Sequence, residues 1–189
     1  THDAKENQRD FETWLNIIYQ LLRPDSYAVI FNDPEHHDKV WQAAKRVGFR
    51  YQRWPLLWVK THYCYNGAAQ YNFTKNFEEA IVLRKGNATL QKAQASSFWM
   101  GSNVNVKQQF AGHPFVKPLE LWQWLAEAVV PKGGVVCDPF SGVGSCTVAC
   151  LGLGLQMLAG EKVKEHFHQQ LFNVEQFYLK ATKGKVEFL

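Results

Sequence analysis

One stretch decides the fold of this chain: Val135-Val136-Cys137-Asp138-Pro139-Phe140-Ser141-Gly142-Val143-Gly144-Ser145-Cys146. Its apolar start predicts a buried strand that ends at Asp138, and open α/β sheets bind ligands at the carboxyl ends of their strands. Gly142 and Gly144 allow a tight turn and a close approach of the backbone to a ligand, and a helix is predicted directly after them. Ser145 is placed to cap that helix or to offer its hydroxyl to a ligand.

A second predicted strand, residues 155–160, runs into Glu161. The separation of Asp138 and Glu161 is close to the roughly 20-residue offset at which an acid meets a ribose in dinucleotide-binding folds. A carboxylate suits a ribose because both hydroxyls can donate hydrogen bonds to it. The order of strand, acid, glycine turn, helix, strand and second acid therefore predicts a nucleotide-like ligand. The turn lacks the Gly-Lys-Ser/Thr of a phosphate-binding loop, and Cys146 and Thr147 replace the third glycine expected for NAD.

Outward from this stretch, predicted strands alternate with predicted helices. Apolar runs predict strands at 27–31, 49–60, 79–84 and 134–138, with a last strand at 185–189. Helical spacing predicts helices at 10–22, 40–47, 118–130, 143–153 and 163–181, whereas 1–9 and 86–112 are predicted to be irregular. This alternation predicts an α/β fold with a doubly wound sheet, mostly parallel, with helices on both faces.

Composition narrows the class of protein. The 189 residues, 46% of them hydrophobic, are enough for one domain with a sizeable core, and a formal charge of +4 suits a polyanionic partner without requiring one. Neither a signal peptide nor an apolar run of about 18 residues is found, so neither secretion nor a membrane span is predicted. Cys146 and Cys150 lie in an apolar run without Cys-x-x-Cys spacing, which predicts buried free thiols and a cytoplasmic location.

The segment from Asp138 to Ser145 resembles the Asp-Pro-Phe-x-Gly-Ser-Gly-Thr motif of the DNA adenine-N6 and cytosine-N4 amino-methyltransferases. Upstream, residues 113–118 are similar to the His-Pro-x-x-Lys-Pro motif of the same family. The resemblance implies a Rossmann-like methyltransferase sheet with an antiparallel edge strand, and S-adenosylmethionine as the cofactor. It implies cofactor contacts from His113, Pro114, Phe115, Lys117, Pro118, Asp138, Pro139, Phe140, Ser141, Gly142, Gly144, Ser145, Glu161 and Lys162.

The resemblance extends over nearly the whole chain, in the order in which the catalytic half precedes the cofactor half, the permuted β-group arrangement. It implies one domain over 1–189: a half that follows the catalytic motif at 1–85, an irregular segment at 86–112 that is a candidate for DNA recognition, and the cofactor half at 113–189. Two small departures, Val143 for the usual Ser and Ser145-Cys146 for Thr-Thr, are expected to soften cofactor affinity.

The larger departure is an absence. The family's Asp/Asn/Ser-Pro-Pro-Tyr/Phe tetrapeptide, which holds a flipped-out base and its exocyclic amine, is expected before the helix at 11–22. We therefore expect it upstream of Thr1 or on a partner chain, with its strand missing from this sheet and no catalytic residue in the chain. The segment Asn32-Asp33-Pro34-Glu35 lacks the second proline and the aromatic residue, so it is predicted to be a turn and helix cap.

The expected function is methyl transfer from S-adenosylmethionine to a DNA base, with adenine N6 as the favoured target, by a chain that is a carboxyl-terminal fragment and inactive alone. The alternative is a non-catalytic cofactor- or DNA-binding subunit of a methyltransferase complex, and an unrelated nucleotide-binding protein is a third. The DNA-facing surface is expected either at 86–112 or on a polar and aromatic loop comprising Lys60, His62, Tyr63, Tyr65, Asn66, Tyr71 and Lys75. No metal site is predicted, because the histidine pairs lack carboxylate or cysteine partners; they are His36, His37, His166 and His168.

Overall fold

A computed structural model describes residues 2–61, 70–102, 110 and 116–186, with side chains described between residues 11 and 180 of these ranges. The chain divides into two compact units, Thr1–Met100 and Gly101–Leu189. The assignment of 1–189 to a single domain stays a prediction. Within the described ranges, no helix is both long enough and apolar enough to cross a membrane.

The first unit combines two helices with a mixed sheet. Lys85 joins the sheet to the first helix: its Nζ donates to the carbonyl oxygens of Tyr19 and Leu22, each at 2.6 Å, and so caps the helix end. The elements are α1 (His2–Leu21), β1 (Ser26–Asn32), a 3-10 turn (Pro34–His36), α2 (His37–Val47), β2 (Arg50–Tyr51), β3 (Leu56–Lys60), β4 (Phe77–Lys85) and β5 (Phe98–Gly101).

Strand β4 lies in the interior of this sheet and is antiparallel to β1, β2 and β3. The strand order is β1-β4-β3-β5, and β1, β2 and β3 each pair with β4 in antiparallel register. Because β1 and β3 both run opposite to β4, they run in the same direction as each other. The prediction of an antiparallel edge strand was therefore wrong about position. The physical reason is the continuous buried run from Ala80 to Leu83, which suits a strand that is hydrogen-bonded on both sides.

The core of the first unit lies between its helices and β4. It is formed by Leu15, Val40, Ala43, Ala44, Phe49, Ile81 and Leu83, all of which are buried. Three predictions of local structure were wrong. Helix α1 begins at His2, where a loop was predicted over 1–9. The predicted strand 49–60 is broken between β2 and β3, where Pro55 has no N–H for a ladder. The segment predicted as irregular over 86–112 contains β5.

The second unit contains a parallel strand–helix–strand unit, as predicted. Strands β6 (Val135–Asp138) and β7 (Gln156–Ala159) pair in parallel and are joined by α4 (Ser145–Gly152). Helix α3 (Leu119–Val129) precedes them and α5 (Lys164–Val186) follows. The predicted last strand at 185–189 was wrong for 185 and 186, which are helical, and residues 187–189 lie outside the described ranges.

Strand β6 is half-buried, where burial on both faces was predicted. Val136 and Met157 pack with the buried Cys146 and Cys150 on one face. On the other face, 62% of the Leu158 surface is exposed, and Val135 is exposed as well. The apolar run of β6 therefore predicted burial on both faces of the strand, whereas only the face that packs against α4 is covered. Cys146 and Cys150 are free and buried, which confirms that prediction.

Candidate functional site

The residues between β6 and α4, 139–144, form a tight turn that we call the glycine loop. The Asp138 Oδ1 accepts a hydrogen bond from the Phe140 N–H at 3.1 Å, which starts the turn. Gly142 and Gly144 have φ angles of 54° and 86°, in the left-handed region that favours glycine. Gly144 is the residue that caps α4, not Ser145, which is the first helical residue.

The glycine loop is attached to the end of the neighbouring parallel strand. The Gly160 N–H donates to the Asp138 carbonyl oxygen at 2.9 Å, and the Ser141 N–H donates to the Gly160 carbonyl oxygen at 3.0 Å. The carboxyl ends of β6 and β7 therefore meet, and the two acids predicted from the sequence lie at this shared edge. This is where a parallel sheet accepts ligands.

Glu161 connects the two strand ends through its carboxylate. Its Oε2 accepts from the Gly142 N–H at 2.9 Å, and its Oε1 accepts from the Val163 N–H at 2.8 Å. These donors, that of Val163 foremost, hold the pKa of Glu161 below its usual range. The carboxylate is therefore ionised at neutral pH, and each oxygen retains a lone pair for another donor.

Asp138 has the opposite electrostatic character. Burial raises the pKa of its carboxyl group, an effect opposed by the Phe140 N–H, the Cys146 thiol and the positive charge of Lys117. The charge of Glu161 adds to the increase. The structure thus brings a cation and two carboxyl groups of differing pKa to one edge of the sheet, an arrangement typical of functional sites.

The other predicted cofactor residues are placed as follows. The Ser145 hydroxyl is buried and accepts a hydrogen bond from Trp122 Nε1 at 3.2 Å, so it faces α3. Pro118 is fully buried before α3, whereas Pro139, Phe140 and Lys162 are exposed. His113, Pro114 and Phe115 lie outside the described residues. Contact of any of these residues with a cofactor stays a prediction.

Polar residues that were not predicted from the sequence lie behind the glycine loop. The hydroxyl of Ser141 lies 2.5 Å from Gln170 Oε1, and Asn173 Nδ2 donates to the Val143 carbonyl oxygen at 2.8 Å. Both amides belong to α5 and are buried. The sequence contained a pattern that could have identified these two amides. Gln170, Asn173 and Phe177 are spaced three and four residues apart, which places them on one face of the helix.

Two further predictions concern residues away from the loop. Asp33 Oδ1 accepts from the Glu35 N–H at 3.1 Å at the start of the 3-10 turn, which confirms that this segment is a turn and helix cap. His37 Nε2 lies 3.3 Å from Glu79 Oε2. Among the described residues, no group of three or more His, Cys, Asp or Glu side chains is arranged to hold a metal ion.

Comparison with known proteins identifies the family. The N6/N4 family of DNA methylases (N6_N4_Mtase) matches residues 1–172. This chain belongs to that family. The resemblance inferred from the two motifs is thereby confirmed. S-adenosylmethionine is the cofactor of the family.

Individual relatives of this methylase agree with that assignment. The chain is 29% identical over 162 residues to the protein named "Putative methylase YubD" of Escherichia coli (strain K12), covering 84% of this chain and 67% of YubD. The structure of M1.HpyAVI in complex with SAM superimposes with a TM-score of 0.75 at 20% identity, over 86% of this chain and 81% of that one. The PvuII cytosine-N4-specific DNA methyltransferase superimposes with a TM-score of 0.71 at 13% identity, over 94% and 78% of the two chains. These similarities confirm the predicted α/β, Rossmann-like methyltransferase fold.

Proposed function

We propose that this methylase binds S-adenosylmethionine at the glycine loop and Glu161, for methyl transfer to the exocyclic amine of a DNA base. The observation that carries the proposal is the Glu161 carboxylate, which is hydrogen-bonded to the Gly142 N–H and ionised beside the loop. We propose adenine N6 as the target, on the resemblance of the sequence motifs.

The residues present fit this cofactor chemically. The free lone pairs of Glu161 suit the two donors of a ribose diol. Lys117 and Asp138 together supply one cationic and one acidic group, which suits the carboxylate and ammonium of a methionine moiety. When bound, the cofactor supplies an activated methyl group on a sulfonium. The part of this chain is to bind and orient that donor, through Glu161 at the ribose and through Lys117 and Asp138 at the amino acid.

The residues that receive the base are proposed to come from elsewhere. No Pro-Pro pair occurs in the 189 residues, so the chain has no candidate for the catalytic tetrapeptide. We propose that an upstream segment or a partner chain provides it, and that the present chain alone binds the cofactor without methylating DNA. The alternative function is a non-catalytic cofactor- or DNA-binding subunit of a methyltransferase complex.

DNA contact is proposed for the exposed aromatic residues that precede β4. Tyr71 and Phe73 are both exposed, Phe73 fully, and Lys75 lies close by in the sequence. Exposed aromatic rings beside a cation can stack on bases and contact phosphates. Residues 62–69 of the predicted DNA-facing loop lie outside the described residues.

The cofactor assignment is tested by calorimetric titration of the folded chain with S-adenosylmethionine. We expect saturable binding by the wild type and at least about tenfold weaker binding by Asp138→Ala and Glu161→Ala, since each loses a charged hydrogen-bonding group. Glu165→Ala is the matched control, because Glu165 is an exposed acid on the first turn of α5 and is expected to leave affinity unchanged. Absence of binding by the folded wild type would overturn the proposal.

The reaction is tested by joining the chain to a segment that carries the tetrapeptide and supplying DNA with a labelled methyl donor. Digestion to nucleosides followed by mass spectrometry is expected to yield N6-methyladenine, and none without that segment. N4-methylcytosine would contradict the proposed target but not the proposed reaction. A complex that binds both cofactor and DNA yet yields neither product would favour the non-catalytic subunit.

A further inference from the structure

Two buried amide side chains of α5 hold the glycine loop from behind. Gln170 and Asn173 are only 4% and 8% exposed, and both bond to residues of the loop. Residues three apart lie on one face of a helix, so the two amides reach the loop side by side. Buried amides are costly to leave without partners, so these bonds constrain the loop and the helix together.

Asn173 fixes one peptide group of the loop. The Val143 carbonyl oxygen accepts from Asn173 Nδ2 at 2.8 Å, and the Gly144 N–H of the same peptide donates to the Ser141 carbonyl oxygen at 2.9 Å. The C=O and N–H of a trans peptide point in opposite directions. Because both ends are bonded, this peptide cannot rotate unless one of these bonds breaks.

Gln170 ties the loop to β7 and α4. The Ser141 Oγ lies 3.0 Å from the Gly160 carbonyl oxygen and 2.5 Å from the Gln170 amide, whose other end lies 3.5 Å from Thr147 Oγ1. A hydroxyl has one proton, so it can donate to only one of its two neighbours. The shorter of the two contacts is to Gln170 Oε1, so Ser141 donates to Gln170, and Gln170 Nε2 donates to Thr147 Oγ1.

Gln170 also explains the need for glycine at position 144. A Cβ added to Gly144 would lie 2.6 Å from the Cγ and 3.2 Å from the Cβ of Gln170. The first distance is shorter than any real contact of this kind, so one of the two groups would have to move. The space left by this glycine is therefore filled by α5 of the same chain.

We propose that Gln170 and Asn173 are positioning residues that hold the glycine loop ready to receive S-adenosylmethionine. The inference rests on the proposed function, because it assigns the loop to that cofactor. A loop that is ordered in advance binds its ligand more tightly than one that must be ordered on binding. Loss of either amide contact therefore weakens cofactor binding without removing any group that touches the cofactor.

The test uses two substitutions that keep side-chain size. Gln170→Met keeps the methylene groups beside Gly144 and removes the amide, and Asn173→Leu keeps the size and removes the donor to Val143 without adding a charge. Gln176→Met is the matched control, because it makes the same change on the same helix at a residue that takes no part in the loop contacts described above. A second control, Leu155→Val, loosens the core at the opposite end of β7.

Two measurements are made on the full chain. Amide hydrogen exchange of Gly142 and Gly144 in the cofactor-free protein reports how firmly the loop is held, and the amide of Val130, bonded to Ala126 at the end of α3, is the internal reference. Calorimetric titration reports affinity for S-adenosylmethionine. Loss of one buried hydrogen bond is expected to speed loop exchange and to weaken affinity about tenfold in each test variant, and neither control is expected to do so.

The outcomes separate the inference from the function on which it rests. Loop exchange and affinity that stay within about twofold of the wild type would overturn the inference, and so would faster exchange with unchanged affinity, which would mark a purely structural role. If the wild type binds no S-adenosylmethionine, the proposed function fails and the cofactor role of these residues fails with it. Hydrogen exchange then still decides whether the two amides hold the loop.

Discussion

Substitution of Gly144 by alanine tests the packing behind the glycine loop. The backbone at Gly144 has φ 86°, and holding a non-glycine residue in the left-handed region costs about 1–2 kcal/mol. The new Cβ would also meet Gln170 Cγ at 2.6 Å, and such overpacking costs about 1–3 kcal/mol. We therefore expect Gly144→Ala to lower the free energy of unfolding by about 2–5 kcal/mol.

Gly154→Ala separates these two contributions. Gly154 has a positive φ of 70°, and a Cβ added there would meet nothing within 4 Å. Its substitution should cost only the backbone strain, about 1–2 kcal/mol. The comparison of the two variants by urea denaturation therefore isolates the steric part at Gly144.

A double-mutant cycle with Gln170→Ala tests whether Gln170 imposes glycine at position 144. Removing the Cγ of Gln170 eliminates the 2.6 Å contact, so Gly144→Ala should cost less in the Gln170→Ala background by about 1–3 kcal/mol. The measurement is the free energy of unfolding of all four proteins under the same conditions. Additivity within about 0.5 kcal/mol would show that Gln170 does not impose the glycine.

Three further predictions follow from other contacts. Lys85→Met should lower the free energy of unfolding, measured in urea, by about 2 kcal/mol, because two carbonyl groups at the end of α1 lose a charged donor. Lys45→Met, on the exposed surface of α2, should change the free energy of unfolding little. An equal loss of stability in both variants would contradict the role of Lys85 as a helix cap. Glu161→Gln should be less stable than the wild type at neutral pH, because the Val163 and Gly142 N–H groups lower the pKa of Glu161 in the folded protein. The stabilisation by Glu161 is therefore fully present above its unfolded pKa and is lost as the pH falls through the folded pKa. A stability difference between these two proteins that is the same at pH 7 and in acid would count against this. Asp138→Asn should behave in the opposite way, because burial raises the pKa of Asp138, so that stability is lost as the pH rises from the unfolded pKa to the folded pKa of this group. We expect the variant to be at least as stable as the wild type at pH 7 while binding S-adenosylmethionine at least about tenfold more weakly. A variant that is less stable than the wild type at pH 7 would refute this expectation.

Local sequence patterns predicted the strand, turn and helix around Asp138 correctly, because the conformation of this segment depends mainly on neighbouring residues. The strand ending at Asp138, the glycine turn and the helix after it follow from a short run of sequence, and all three lie where they were predicted. Two of the errors arose where residues distant in the sequence decide the structure. The position of β4 between β1 and β3 depends on pairing across the sheet, which no local period encodes. The exposed face of β6 was not predicted for the same reason, because an apolar run does not show which other elements pack against each face of the strand.

For the candidate site, the sequence identified Asp138, Gly142, Gly144 and Glu161, because acids and glycines at strand ends leave a pattern along the chain. It also carried the family resemblance, which the comparison confirmed. It did not show that Gly144 is packed against Gln170, nor that Asn173 holds the Val143 peptide. These contacts join residues about 30 positions apart through a helix face. The sequence alone therefore determined which residues form the glycine loop, whereas the tertiary structure decided what holds it in shape, because buried hydrogen bonds form only when the fold brings their partners together.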